Sequence, residues 1–148
     1  FNDDGFRLLV DRMGREADWV VAPDVVEGGL ASLRLSLTWL APLMTRTRLV
    51  LIPVQDGLEP KDMEQIILPG RIGIFLGGST EWKLARMRDW GEFCAERGVY
   101  YHVARVNSIK RMSQAVSCGA HSVDGSSASR YAVSLPKLAY AARQHLLL

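Results

Sequence analysis

Short, unbroken apolar runs alternate with stretches of helical period along most of the chain, and this alternation restricts the fold more than any other feature of the sequence. The runs are Trp19-Val20-Val21-Ala22, Leu49-Val50-Leu51-Ile52-Pro53-Val54, Ile72-Gly73-Ile74-Phe75-Leu76, Tyr100-Tyr101-His102-Val103 and Ser122-Val123. A strand without polar alternation needs cover on both faces, which predicts a parallel sheet flanked by helices. Helical spacing is read from Asp4 to Arg15, capped by Asn2 or Asp3, and from Leu30 to Met44, bent or broken near Pro42. Further helices are expected from Pro60 to Ile67, from Glu81 to about Arg97 after a Thr80 cap, from Asn107 or Ser108 onward, and from Leu135 to His145. In the longest of these, Trp82, Trp90, Phe93 and Cys94 share one side and read as core. An open doubly wound sheet and part of a (β/α)8 barrel both fit. A complete barrel needs about 250 residues, so these 148 residues supply about five of its units.

The bulk numbers exclude several classes. With 48% hydrophobic and 23% charged residues the chain can build a core and is not of disordered composition. A net charge of +2 is too small to argue for nucleic-acid binding by itself, so that case rests on local clusters. Cys94 and Cys118 lie far apart, without a CxxC or histidine pattern, and read as thiols in a reducing, cytoplasmic compartment. No apolar run approaches the ~18 residues of a membrane span. No second domain or low-complexity linker is visible, and a first residue of Phe1 leads us to expect a processed or incomplete chain.

The chemistry gathers where strands end. Sheets of this class bind ligands beyond the C-terminal ends of their strands. Those positions hold Asp24, Gln55, Gly77-Gly78, His102 with Arg105, and Asp124. Asp and Gln can read ring N–H and carbonyl groups, and bare glycines let backbone approach a ring. Each has a plainer alternative. Asp24 suits a turn or cap, Gln55-Asp56-Gly57 is a good turn, and Asp124 before Gly-Ser-Ser can shape a loop. His102 reads as a packed or hydrogen-bonded core histidine rather than a catalyst, His121 and His145 as surface residues. Gly77-Gly78 can instead hold phosphate at the start of the next helix, although Lys83 lacks P-loop spacing. Arg105, Lys110 and Arg111 form a modest basic cluster, either solvated or in contact with phosphates.

Taken in order, these tips resemble the tRNA-guanine transglycosylase (queuine tRNA-ribosyltransferase) superfamily. The matching pieces are Asp24, Val54-Gln55-Asp56-Gly57, Leu76-Gly77-Gly78, Tyr101-His102-Val103-Ala104-Arg105-Val106 and Gly119-Ala120-His121-Ser122-Val123-Asp124. The last is similar to the family's Gly-(Ile/Ala)-Asp-x-Phe-Asp stretch, which ends in the nucleophile. Arg130 stands six positions after Asp124, where the family places an arginine near the nucleic-acid backbone. The resemblance implies one incomplete TIM-barrel domain over 1–148 and exchange of guanine in nucleic acid for a 7-deazaguanine. By it Asp124 is the nucleophile; Asp24, Gln55, Gly77 and Gly78 hold the base; Arg105, Lys110, Arg111 and Arg130 face the backbone.

The family's strand with a second catalytic aspartate is missing, as are its Cys-x-Cys-x-x-Cys zinc ligands and distant histidine, so no metal or other cofactor is expected. Zinc-less, divergent members are associated with deazaguanine insertion into DNA, which turns the expectation toward DNA, with tRNA the other substrate. A catalytically silent nucleic-acid-binding subunit and an unrelated phosphate-binding barrel enzyme stay open. An incomplete barrel also leaves sheet edges that another copy or a partner subunit can cover.

Overall fold

The computed structural model describes residues 1–126 and 135–143. Helix α1 (Asp3–Met13) leads into strand β1 (Val20–Val21), then α2 (Gly29–Met44), β2 (Val50–Val54), a 3-10 turn (Pro60–Met63) and β3 (Ile72–Leu76). Helix α3 (Thr80–Arg97), β4 (Tyr101–Val103), α4 (Ile109–Ser117), β5 (Ser122–Val123) and α5 (Leu135–Arg143) complete the described order. The strands form one five-stranded sheet in the order β1-β2-β3-β4-β5, and every neighbouring pair is parallel. A doubly wound sheet reverses its strand order at a switch point. This one never does, so of the two architectures the sequence allowed the chain adopts the barrel-type winding, as a curled, open half-barrel.

Alternation along the strands separates two faces. Val50, Ile52, Val54, Ile74, Leu76 and Val103 join the main apolar core with Leu33 and Leu43 of α2 and Met87 and Trp90 of α3. The alternate set, with Pro53, Phe75 and His102 aligned in register, turns to the concave side. There the Trp19 and His102 rings meet at 4.9 Å between centroids. Trp19 enters β1, and in a flat sheet β1 and β4 would lie about 14 Å apart. The contact therefore follows from the curl, with the two rings tilted 56° to each other.

Several local expectations change. The helix expected from Pro60 to Ile67 is only the single 3-10 turn. Glu59 and Asp62 cap one another across it, after which Pro69 and Gly70, at φ 74°, turn the chain into β3. Helix α2 runs through Pro42 without a break in its assignment. The cap of α3 is Ser79 rather than Thr80: its backbone is extended and its Oγ accepts the Trp82 N–H at 3.3 Å. Asn2 caps α1 and Ser108 caps α4 in the same manner. Arg130 and His145 lie outside the described residues.

The C-terminal end of α4 meets α3 at one close point. A Cβ placed on Gly91 would stand 2.0 Å from the Cys118 carbonyl oxygen at the end of α4. No described helix is long and apolar enough to cross a membrane.

Candidate active site

A cleft of about 180 Å³ opens at the C-terminal ends of the strands. Its wall takes Asp24, Val26 and Glu27 from the loop after β1, Gln55 from β2, and Phe75, Gly77 and Gly78 from β3. Ala104 and Arg105 follow from β4 and Asp124 from β5. The base-binding set and the expected nucleophile thus share one small space. Lys110 and Arg111 stand at the start of α4 outside this wall.

The β1 side is held from beneath by α2. Ser36 Oγ donates to the Pro23 carbonyl at 2.8 Å, and Ser32 Oγ accepts the Val25 N–H at 3.2 Å. The serines are one helical turn apart, so both face the loop that carries Asp24. Gln55, almost wholly buried, is the link across to β2. Its Oε1 accepts the Gly28 N–H at 2.9 Å and its Nε2 donates to Asp24 Oδ2. A backbone N–H only donates, which fixes the amide orientation. Gln55 therefore positions Asp24 as well as bordering the cleft. Burial raises the Asp24 pKa above the ordinary carboxylate value, outweighing the Gln55 hydrogen bond and one from its own backbone.

Asp124 is held the opposite way. Its Oδ2 lies 3.0 Å from His102 Nε2, and its Oδ1 accepts the Arg105 N–H at 2.7 Å. The His102 bond, ahead of an opposing contribution from burial and aided by the Arg105 N–H, lowers its pKa below the ordinary value. A carboxylate only accepts, so the proton of this contact belongs to His102 Nε2. Nδ1 then accepts from Ser122 Oγ at 2.7 Å, and Ser122 in turn accepts from the Tyr100 hydroxyl at 2.9 Å. His102 is 1% exposed and stacks on Phe75 at 4.9 Å and 10°. Core packing and support of Asp124 are here the same role; the sequence suggests a packed or hydrogen-bonded core histidine but does not name Asp124 as its partner. The signal was present: His102 and Asp124 both stand at strand ends, and β4 and β5 are consecutive.

Arg105 sits in the left-handed region at φ 56°. That turn aims its N–H at Asp124, while its guanidinium donates to the Gly78 carbonyl. Among the expected backbone contacts, Arg105 is thus part of the cleft itself. Gly125 lets the loops after β4 and β5 close on each other, because a Cβ there would lie 2.3 Å from the Val106 carbonyl oxygen.

The glycine pair serves differently from a phosphate loop. Asp56 places its carboxylate at the start of α3, accepting from Ser79 N–H at 2.7 Å and Ser79 Oγ at 2.6 Å. Burial opposes the ionised form, yet the Ser79 bonds and the nearby Arg105 charge bring the Asp56 pKa below its ordinary value. The anion favoured by this helix end is therefore already supplied by the chain. A Cβ on Gly78, at φ 73°, would stand 2.5 Å from Asp56 Oδ2, so the glycine is needed for that bond.

Among the described residues no group of three or more His, Cys, Asp or Glu can hold a metal ion. Burial pushes the Cys94 thiol up to about 12, leaving it protonated and unreactive.

The Asp124 arrangement predicts an acid-sensitive contribution to stability. Its pKa is lower folded than unfolded, so the unfolded chain binds more protons. The contribution is present above about pH 3.9, the ordinary aspartate value, and disappears as pH falls through the lower folded value. Melting temperature followed through this acid range should fall less in Asp124→Asn than in the parent; parallel curves would contradict the assignment.

No protein-family model, curated protein or solved structure matches the chain.

Proposed function

We propose that the chain carries the base-exchange chemistry of a guanine transglycosylase, replacing guanine in nucleic acid with a 7-deazaguanine. The observation that supports this reading most is the pair of carboxylates with opposite tendencies on one cleft. Asp124 is biased toward the ionised form and Asp24 toward the protonated one. Two such environments are a basis for assigning separate roles to two acids.

In this reading an Asp124 oxygen attacks C1′ of the target nucleoside. The C1′–O bond forms as the C1′–N9 bond breaks, and the bonding pair leaves with guanine, which takes up a proton. A 7-deazaguanine then attacks C1′ through its ring nitrogen, loses its proton, and releases Asp124 as a carboxylate. Covalent trapping suits an oxocarbenium-like centre. The His102 and Arg105 bonds keep Asp124 ionised and aimed without removing all its lone pairs. Asp24, Gly77 and Gly78 border the ring in this reading, and Phe75 adds an apolar wall. The base has to leave its stack to enter a space this small. Lys110 and Arg111 suit the phosphates beside it, as does Arg130 on the resemblance.

The test is incorporation of labelled guanine into DNA and into tRNA, with a denaturing gel to detect a protein–nucleic acid adduct. DNA and tRNA are tested side by side, DNA first, on the resemblance to the family's divergent members. Exchange into either polymer supports the chemistry. Binding without exchange or adduct overturns it in favour of a silent nucleic-acid-binding subunit.

A further inference from the structure

Lys83 is the one fully buried cation among the described residues, and no step of the proposed exchange uses it. It projects from the first turn of α3 and is 1% exposed, with its Nζ donating to the Ala104 carbonyl. Ala104 precedes Arg105, whose left-handed backbone turns its N–H onto Asp124. The ammonium thus lies under the peptide unit that delivers a hydrogen bond to the expected nucleophile.

We infer that Lys83 is a positioning residue for Asp124: its ammonium pins the Ala104–Arg105 peptide, whose N–H bonds the carboxylate. The catalytic part of this inference rests on the base-exchange reading; the structural part does not.

The neighbouring charges set the balance. Burial acts first on Lys83, and Arg105 and Arg111 add to it, while Asp124 opposes; together they lower its pKa to about 8. The same attraction appears from the other side, where Lys83 helps to keep Asp124 ionised. Strand β3 brings no titratable side chain toward α3. Strand β4 brings Tyr101, whose hydroxyl is committed to the Met87 carbonyl. An ammonium bonded to one carbonyl and attracted by one carboxylate, with two guanidiniums opposing it, responds when either of the first two changes. Converting Asp124 to a neutral ester, as the glycosyl intermediate requires, removes the attraction and weakens the hold on the turn.

The sequence has only four lysines, Lys61, Lys83, Lys110 and Lys137, which makes a direct titration practical. Lysine side-chain NMR on the full chain should show one signal with a midpoint near 8, missing from Lys83→Met. The Arg105 backbone amide should shift with the same midpoint. In Asp124→Asn the midpoint should move down by about one pH unit, the effect of losing a close opposite charge. If the exchange assay is positive, kcat should decline above that midpoint in the parent, with no such decline in Lys83→Met. A Lys83 signal that titrates near the ordinary lysine value, or an Arg105 amide that ignores it, overturns the inference even in an active enzyme. Coupled titration in a protein without exchange activity keeps it and removes only the reaction.

Discussion

Asp124→Asn is expected to reduce base exchange by about 10⁴-fold or more and to eliminate the trapped adduct. The substitution is nearly isosteric, so the cleft keeps its shape and the Arg105 N–H keeps an oxygen to meet. The amide has no nucleophilic oxygen to form a glycosyl ester. Its NH2 would also face His102 Nε2–H, placing two donors where the parent has a donor and a carboxylate. The imidazole has to change tautomer to restore the bond, and the Ser122 and Tyr100 hydroxyls have to reverse with it. Exchange rates measured beside circular dichroism separate lost chemistry from lost structure. Activity within tenfold of the parent in a folded variant would rule out Asp124 as the attacking group.

Gly91→Ala is expected to cause the largest loss of stability for the smallest change in volume. The new methyl would overlap the Cys118 carbonyl, a backbone atom that cannot rotate away. Helices α3 and α4 would have to separate. Overpacking of this kind costs about 1–3 kcal/mol, against which alanine returns at most about 1 kcal/mol of helix propensity. At about 2–4 °C per kcal/mol for a chain of this size, the larger costs correspond to a fall of several degrees. Gly91→Val adds bulk at the same point and should melt lower still. An alanine variant that melts at or above the parent in a thermal scan would show that the helices do not need this approach.

The strands were legible because burial on both faces leaves its own signature. Ile72–Leu76, mostly buried, was read at the bounds the structure gives it; Ser122–Val123 was as well, although both residues are half-buried. The direction of winding was not legible, since apolar runs and helix spacing are the same in an open sheet and a barrel. What decides is strand order, a long-range property without a local code. The helix expected from Pro60 is only a 3-10 turn ending at Met63, and the rest of the crossover from β2 to β3 runs as turns up to Gly70.

At the site, residue type and strand-end position were enough to gather Asp24, Gln55, Gly77, Gly78, Arg105 and Asp124 on one cleft. The division of labour among them was hidden. Gln55 offers donor and acceptor chemistry to any reader of the sequence, yet both ends of its amide have partners within the protein. Gly77-Gly78 looks like a phosphate seat until Asp56 is found bonded to Ser79. Such assignments depend on which neighbour arrives first, and spacing carries no record of that.

Asp24 and Asp124 follow the first and last strands of the described sheet, with every intervening strand between them. A molecule that must touch both recognises only a chain whose winding is complete. Its occupancy would therefore draw on cooperative folding of all five strands, and saturating ligand should raise the melting transition as a whole. Partly wound chains, such as those caught during synthesis, would be blind to it.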